Sequence, residues 1–375
     1  MGDGATARTR SSGDSSCAYL AFEVLEGSAH KVQILEMCDA LTTSGVDTEL
    51  LMFADGAEAV GAAELREYYG LDNTPQISWI PRDRGRWAAR FRLIVESARA
   101  SRTRTFAYTR RALAALGALL GGARHVFLEM HAPTLTRHDQ LAFSLIRRSK
   151  RLHIVCISRR LAEIVARRYG FEESALIVEH NGSSYPIRYD YRVDSAAGRR
   201  LCAMYVGTFA PGRGLETIAE LAERHPTVDF AIAGGTSPQQ LPGNVSVLPR
   251  VRHADVSGLL ARADILLMPY TRSEMLPDGS GAAEFCSPLK MFEYLSAGRS
   301  IIASNLPSIA EVLVDESNCL LADPDSVKEW SAALARLESD PTLRVSLARG
   351  AAETAERHTT VGRVRRILEQ GGTAQ

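Results

Sequence analysis

No apolar run in these 375 residues approaches the roughly 20 needed to cross a bilayer. The longest candidate, 112–123, is short and broken by Gly117, Gly121 and Gly122. The chain also lacks net charge: 44 Lys and Arg balance 44 Asp and Glu, which argues against a general nucleic-acid binder. It lacks any CxxC pair. Its six cysteines (Cys17, Cys38, Cys156, Cys202, Cys286, Cys319) are scattered, which speaks against a zinc site or a disulfide scaffold and fits a reducing cytoplasm. No internal repeat is visible. Residues 1–16, rich in Ser, Gly and Thr with no apolar core, read as a disordered tail and not as a signal peptide.

What is present is enough apolar matter, 45% of residues, for two cores in a chain of two-domain length. Residues 17–24, a turn at 26–30, a helix to Thr43 and a strand over 49–53 form a βαβ unit. Nine arginines between 81 and 110 stand against Asp83 and Glu96 alone, an excess of seven positive charges. Residues 107–120 then read as a helix, 126–130 as a strand ending at His131, 136–149 as a helix and 152–157 as a strand. The polar, aperiodic stretch 185–200 reads as a linker. After it, strands near 202, 228, 245, 265, 300 and 319 alternate with helices, including one over 308–314, as in a parallel sheet covered on both faces. The expected division is a tail over 1–16, an N-terminal Rossmann-like domain over 17–190, a second over 200–357, and a final helix over 358–375.

The richest segment is 284–313, EFCSPLKMFEYLSAGRSIIASNLPSIAEVL. Ser287 is suited to cap a helix, Pro288 to open it and Gly298 to end it. Lys290 and Glu293 then share a face. A helix start attracts phosphate, Lys290 adds a point charge, and Glu293 offers oxygens to hydroxyls. One end suits a diphosphate and the other a ribose. A second glycine-bearing turn, VGTFAPGRG over 206–214, follows the first strand of the second domain and places Arg213 between two glycines, where it can reach a diphosphate.

SPLKMFEYLSAG with the following apolar strand resembles the donor-site signature of retaining glycosyltransferases of family four. The resemblance implies the GT-B fold, two Rossmann-like domains facing across a cleft, with the last helix crossing back to the first domain. It implies a UDP- or GDP-sugar as co-substrate, no further cofactor and no metal. His131 would lie near the sugar and leaving phosphate, and with Arg213 and Lys290 would carry the chemistry. The donor would contact Gly27 and Ser28 in the first turn, Gly207 and Thr208, the backbone at Arg250 and Val251, the segment Glu284, Phe285, Cys286, Ser287, Pro288 and Leu289, and Glu293. His180-Asn181-Gly182 resembles the family's hinge turn. Two departures stand out. Arg213 occupies a Lys position, with Thr208 where a second basic residue is common. Phe285 occupies the position of the family's first Glu, so that either Glu284 or the backbone of 285–287 would meet the sugar.

The resulting expectation is a retaining hexosyl- or N-acetylhexosaminyl-transferase, with an acceptor of the aminocyclitol or secondary-metabolite kind, as in antibiotic biosynthesis. The alternatives are a membrane-surface enzyme docking through 81–111, a nucleotide-sugar epimerase, and a non-catalytic nucleotide-sugar binder.

Overall fold

The computed structural model describes residues 15–22, 29–54, 62–81, 85–192, 198–236, 240–272, 281 and 283–373. The expected tail lies outside these residues except for Ser15 and Ser16, and so does the Gly27–Ser28 turn.

The N-terminal domain runs β1 (Ser16–Leu20), α1 (Ala29–Thr43), β2 (Asp47–Ala54), α2 (Ala62–Tyr69), β3 (Gln76–Pro81), α3 (Arg86–Ser101), β4 (Phe106–Thr109), α4 (Ala112–Leu120), β5 (His125–Met130), α5 (Arg137–Ile146), β6 (Leu152–Cys156), α6 (Arg159–Tyr169) and β7 (Ile177–Val178). Its sheet has the order β3-β2-β1-β4-β5-β6-β7, and every pairing is parallel. The second domain runs β8 (Cys202–Val206), α7 (Leu215–Arg224), β9 (Asp229–Ala233), β10 (Val245–Leu248), α8 (His253–Leu260), β11 (Ile265–Met268), α9 (Leu289–Ser296), β12 (Ser300–Ser304), β13 (Leu320–Ala322), α10 (Val327–Ser339), α11 (Pro341–Arg357) and α12 (Thr360–Gln370). Its sheet, β10-β9-β8-β11-β12-β13, is also parallel throughout. Strands covered on both faces have no polar side to show. The run Ile265-Leu266-Leu267-Met268 is accordingly buried at every position.

Two sequence readings are corrected. Residues 107–120 are not one helix: Phe106–Thr109 is a strand between β1 and β5, and α4 begins at Ala112. A short apolar run at the centre of a sheet lacks the alternation that would mark it as a strand. Residues 308–314 form turns instead of a helix.

The two domains interlock. From α12, Val364, Ile367 and Leu368 join the N-terminal core beside Tyr19, Leu35 and Tyr108. Phe285, from the loop before α9, enters the core on the other face of the same sheet, among Leu20, Leu128 and Leu161. Glu311 accepts hydrogen bonds from the N–H groups of Arg159 and Arg160 at 2.7 and 2.9 Å, so a carboxylate of the second domain sits on the positive end of α6.

Candidate functional site

In both sheets the strand order reverses beside the first strand, between β1 and β4 and between β8 and β11. Such a switch point leaves a crevice beyond the carboxyl ends of the strands. In the second domain the crevice lies between Gly207, after β8, and Tyr270, after β11. Gly207 has φ 155°, and a Cβ there would come within 2.5 Å of Lys290 Nζ. A side chain there would push the lysine's ammonium out of its place. The Lys290 ammonium stands 3.6 Å from the Tyr205 ring centroid and 5.3 Å from that of Tyr270. The Arg213 guanidinium lies 4.8 Å from the Tyr270 centroid. Two cations thus gather on aromatic faces, which attract them through the ring quadrupole. Gly214 lets the Arg213 turn lie flat on β11, since a Cβ there would sit 1.8 Å from the Pro269 carbonyl oxygen.

The start of α9 differs in detail from the sequence reading. The helix begins at Leu289 with Pro288 as its N-cap, and no side chain caps it. Ser287 is turned to the N-terminal domain instead: its hydroxyl accepts from the Asn181 N–H at 3.0 Å, and its carbonyl accepts from Asn181 Nδ2 at 2.6 Å. The Phe285 carbonyl accepts from the Ser158 hydroxyl at 2.8 Å. The loop before α9 is therefore held by the opposite domain, while the first turn of α9 keeps its dipole free of a capping side chain.

Across the cleft, His131 follows β5. Its Nε2 hydrogen-bonds Glu129. Glu129 is fully buried among the Tyr108 hydroxyl, Gln33 Nε2 at 2.8 Å, Arg363 at 2.9 Å and Arg110 at 3.4 Å. Burial acts to raise its pKa, but the guanidiniums of Arg363 and Arg110 and the His131 hydrogen bond outweigh it and hold the carboxyl well below its usual range. His131 is pushed down to about 4, by burial first and then by Arg110. The ring is neutral at pH 7. An ionised Glu129 can only accept, so the His131 proton sits on Nε2 and Nδ1 is left as an acceptor. Gln33 Nε2 also donates to Asn181 Oδ1 at 2.9 Å, so a chain of hydrogen bonds links His131, Glu129, Gln33 and Asn181 to Ser287 at the helix start.

Glu293 lies one turn into α9 and accepts from His253 Nε2 at 3.2 Å. The Tyr185 hydroxyl meets the same nitrogen at 2.9 Å, and the Tyr69 carbonyl meets His253 Nδ1 at 3.2 Å. Burial would lower the His253 pKa, yet the Glu293 hydrogen bond and the Glu293 and Glu36 charges raise it to about 9. Glu36, buried on α1, is pushed up to about 8 by burial, with Glu293 and Asp39 adding to the rise and His253 opposing it. This cluster spans both domains.

The structure thus gathers Lys290, Arg213 and Gly207 around Tyr205 and Tyr270, and ties His131 through Glu129, Gln33 and Asn181 to the loop that opens α9. Thr208 is exposed, its carbonyl accepting from the Tyr205 hydroxyl at 2.9 Å. Arg250 is exposed and Val251 packs against the second core. Cys286 lies 3.9 Å from the Ser308 hydroxyl, and Leu289 packs against the N-terminal core. The Phe285 side chain is a core residue of the opposite domain, and Glu284 reaches toward Arg160 at 3.8 Å. Glu36, Gln33, Tyr185, His253, Tyr205, Tyr270 and Arg363 are not among the residues singled out from the sequence. Among the described residues, no three His, Cys, Asp or Glu side chains gather as a metal site, and no helix is long and apolar enough to cross a membrane.

Residues 203–340 match the family model of Glycosyl transferases group 1. That segment is similar to the group 1 glycosyltransferases and spans β8 to the end of α10. HepE of Anabaena, solved in complex with UDP, superposes with a TM-score of 0.71 at 14% identity, covering 96% of this chain and 100% of that one. Sucrose-phosphate synthase of Thermosynechococcus elongatus gives 0.66 at 15%, covering 96% and 98%. A glycosyltransferase of Rickettsia africae gives 0.69 at 12%, covering 95% and 97%. Compared with the curated proteins, the chain matches none. The whole chain has the GT-B architecture, and the segment similar to group 1 glycosyltransferases carries Lys290 and Arg213.

Proposed function

We propose that this chain is a retaining glycosyltransferase moving a hexose or N-acetylhexosamine from a UDP-sugar to an acceptor hydroxyl. The observation that carries the reading is the pair of cations, Lys290 and Arg213, held against Tyr205 and Tyr270 at the start of α9. A departing diphosphate gains negative charge as the glycosidic bond breaks. Fixed cations and a helix dipole placed to receive it stabilise that change without reorganising at the moment of reaction. UDP is favoured over GDP because the similar HepE was solved with UDP and with UDP-glucose.

In this reading Glu293 receives the ribose hydroxyls and releases part of its bond with His253. His131, neutral and with Nδ1 as acceptor, takes a hydrogen bond from a sugar hydroxyl and orients the ring. No carboxylate of this chain is assigned to the face opposite the diphosphate. The proton of the attacking hydroxyl then passes to the leaving phosphate oxygen on the same face, and the anomeric configuration is kept. The diphosphate charge falls to Arg213, Lys290 and the helix start, so no metal is required.

The test is the product. With a UDP-α-sugar and EDTA present, UDP release should depend on the acceptor, and the anomeric proton coupling by NMR should show an α-linkage. A β-linked product, or complete loss in EDTA restored by manganese, contradicts the mechanism. Altered nucleotide sugar formed without acceptor marks an epimerase. The exposed apolar side chains of the N-terminal domain favour the membrane alternative over a small soluble acceptor.

A further inference from the structure

Four large apolar side chains stand in the open on two neighbouring helices of the N-terminal domain. Trp87 is 76% exposed and Phe91 70%, both on one face of α3; Leu141 is 67% exposed and Leu145 70%, both on one face of α5. Scattered single apolar residues are ordinary, but a run of them on adjoining elements marks a contact surface. The two helices are joined at this place, since the Trp87 ring meets the His138 ring edge-on at 5.8 Å.

The patch carries positive charge. Arg90 lies 5.3 Å from the Trp87 ring centroid. On α5 the exposed stripe runs through Arg137, Leu141, Ser144 and Leu145 to Arg148 just past its end, at helical spacing, with a cation at each end and two leucines between. Lys150 follows, also exposed. The acidic residue of α5 does not offset them: Asp139 is buried, held by Arg111, by the Thr136 hydroxyl and by the Leu113 N–H. On α3, Glu96 is paired with Arg99 at 3.0 Å.

We propose that this α3–α5 face docks on an anionic lipid surface, the aromatic and leucine side chains entering the headgroup boundary while the arginines meet lipid phosphates. Helices that lie in a membrane interface combine these two features, and indole rings settle at that depth. The loop 131–136 runs from His131 directly into α5, so one end of the patch is close in the chain to His131. A lipid-linked acceptor would then present its hydroxyl to the cleft from the docked surface; this last step rests on the glycosyltransferase reading, whereas the docking does not.

Trp87 supplies the readout. Of the three tryptophans, Trp330 is buried, Trp79 is half-buried and Trp87 is open. Vesicles of phosphatidylglycerol and phosphatidylcholine should sediment the protein and shift its tryptophan emission to the blue, with both effects weakened by salt. Pure phosphatidylcholine vesicles should do neither. L141S/L145S should lower the sedimented fraction about tenfold or more, and R137Q/R148Q should weaken binding in low salt. UDP affinity by calorimetry, measured without vesicles, should be the same for native protein and both variants; failure of UDP binding alone would strike the glycosyltransferase reading and leave docking standing. The proposal is overturned if native protein stays in the supernatant with anionic vesicles, if it binds neutral vesicles equally, or if L141S/L145S sediments like the native chain. It is also overturned if light scattering shows a native dimer that L141S/L145S converts to monomer while vesicles bind neither, since the face would then belong to a second copy.

Discussion

A lysine that stands over one tyrosine ring and near another, in space that the missing side chain of Gly207 leaves to it, is held in place before any ligand arrives. That is what Lys290 needs if its charge is to act on a diphosphate without first being ordered. Its neighbourhood was half legible. SPLK before an apolar helix marks the lysine, and a glycine after a strand marks Gly207, because ligand loops gather at the carboxyl ends of parallel strands. Nothing in the sequence ties Tyr205 or Tyr270 to it, since one lies inside a strand and the other just past a strand far from α9 in the chain. His131 is similar. Its position at a strand end is visible, but its neutral state depends on burial and Arg110, and its tautomer on Glu129, whose own ionisation is set by Arg363 from the far end of the chain. If His131 orients the sugar, His131→Ala should lower kcat about 100-fold and leave UDP affinity by calorimetry nearly unchanged. Unchanged turnover would remove His131 from the site.

At the scale of elements, strand–helix alternation in the second domain was legible because each buried strand is a short apolar run bounded by glycine or by a helix cap. The Arg-rich stretch was not, because 81–110 holds the end of β3, all of α3 and all of β4. The meeting of α1, α8 and α9 was equally hidden. Glu36 in the sequence is one charge in a helix, which ordinarily faces water; only when the second domain closes on α1 is it buried near His253 and Glu293. Both Glu36 and His253 bind protons more tightly in the folded chain than in the unfolded one. Glu36 does so between 4.5 and about 8, and His253 between 6.5 and about 9. Where the folded state holds more protons, stability falls as pH rises. The stabilising charge on His253 is complete below 6.5 and lost through about 9, while the cost of ionising Glu36 is absent below 4.5 and complete above about 8. The thermal midpoint should therefore fall between pH 6 and pH 9, and Glu36→Gln should flatten that fall. A flat profile for the native chain would remove the cluster from the energetics of domain closure.

Across the whole molecule, two parallel sheets are fastened by pieces that change sides. α12 returns to the N-terminal domain and places Arg363 on Glu129 at 2.9 Å. Phe285 leaves the second domain and completes a core of the first. The loop from Phe285 leads straight into α9, which carries Lys290, so the crevice and the domain interface share one segment. Residue patterns predict each half of such a molecule; they do not predict which side chain of one half fills the other, because that contact has no local period. The crevice between the halves, with its two cations, is the centre of the account. Calorimetric titration with UDP tests it most directly. The native chain should bind, and Lys290→Met and Arg213→Gln should each weaken binding by about 1.5–3 kcal/mol, the worth of a charge-assisted hydrogen bond. Absence of binding to UDP and GDP alike, or affinities untouched by both substitutions, would contradict it.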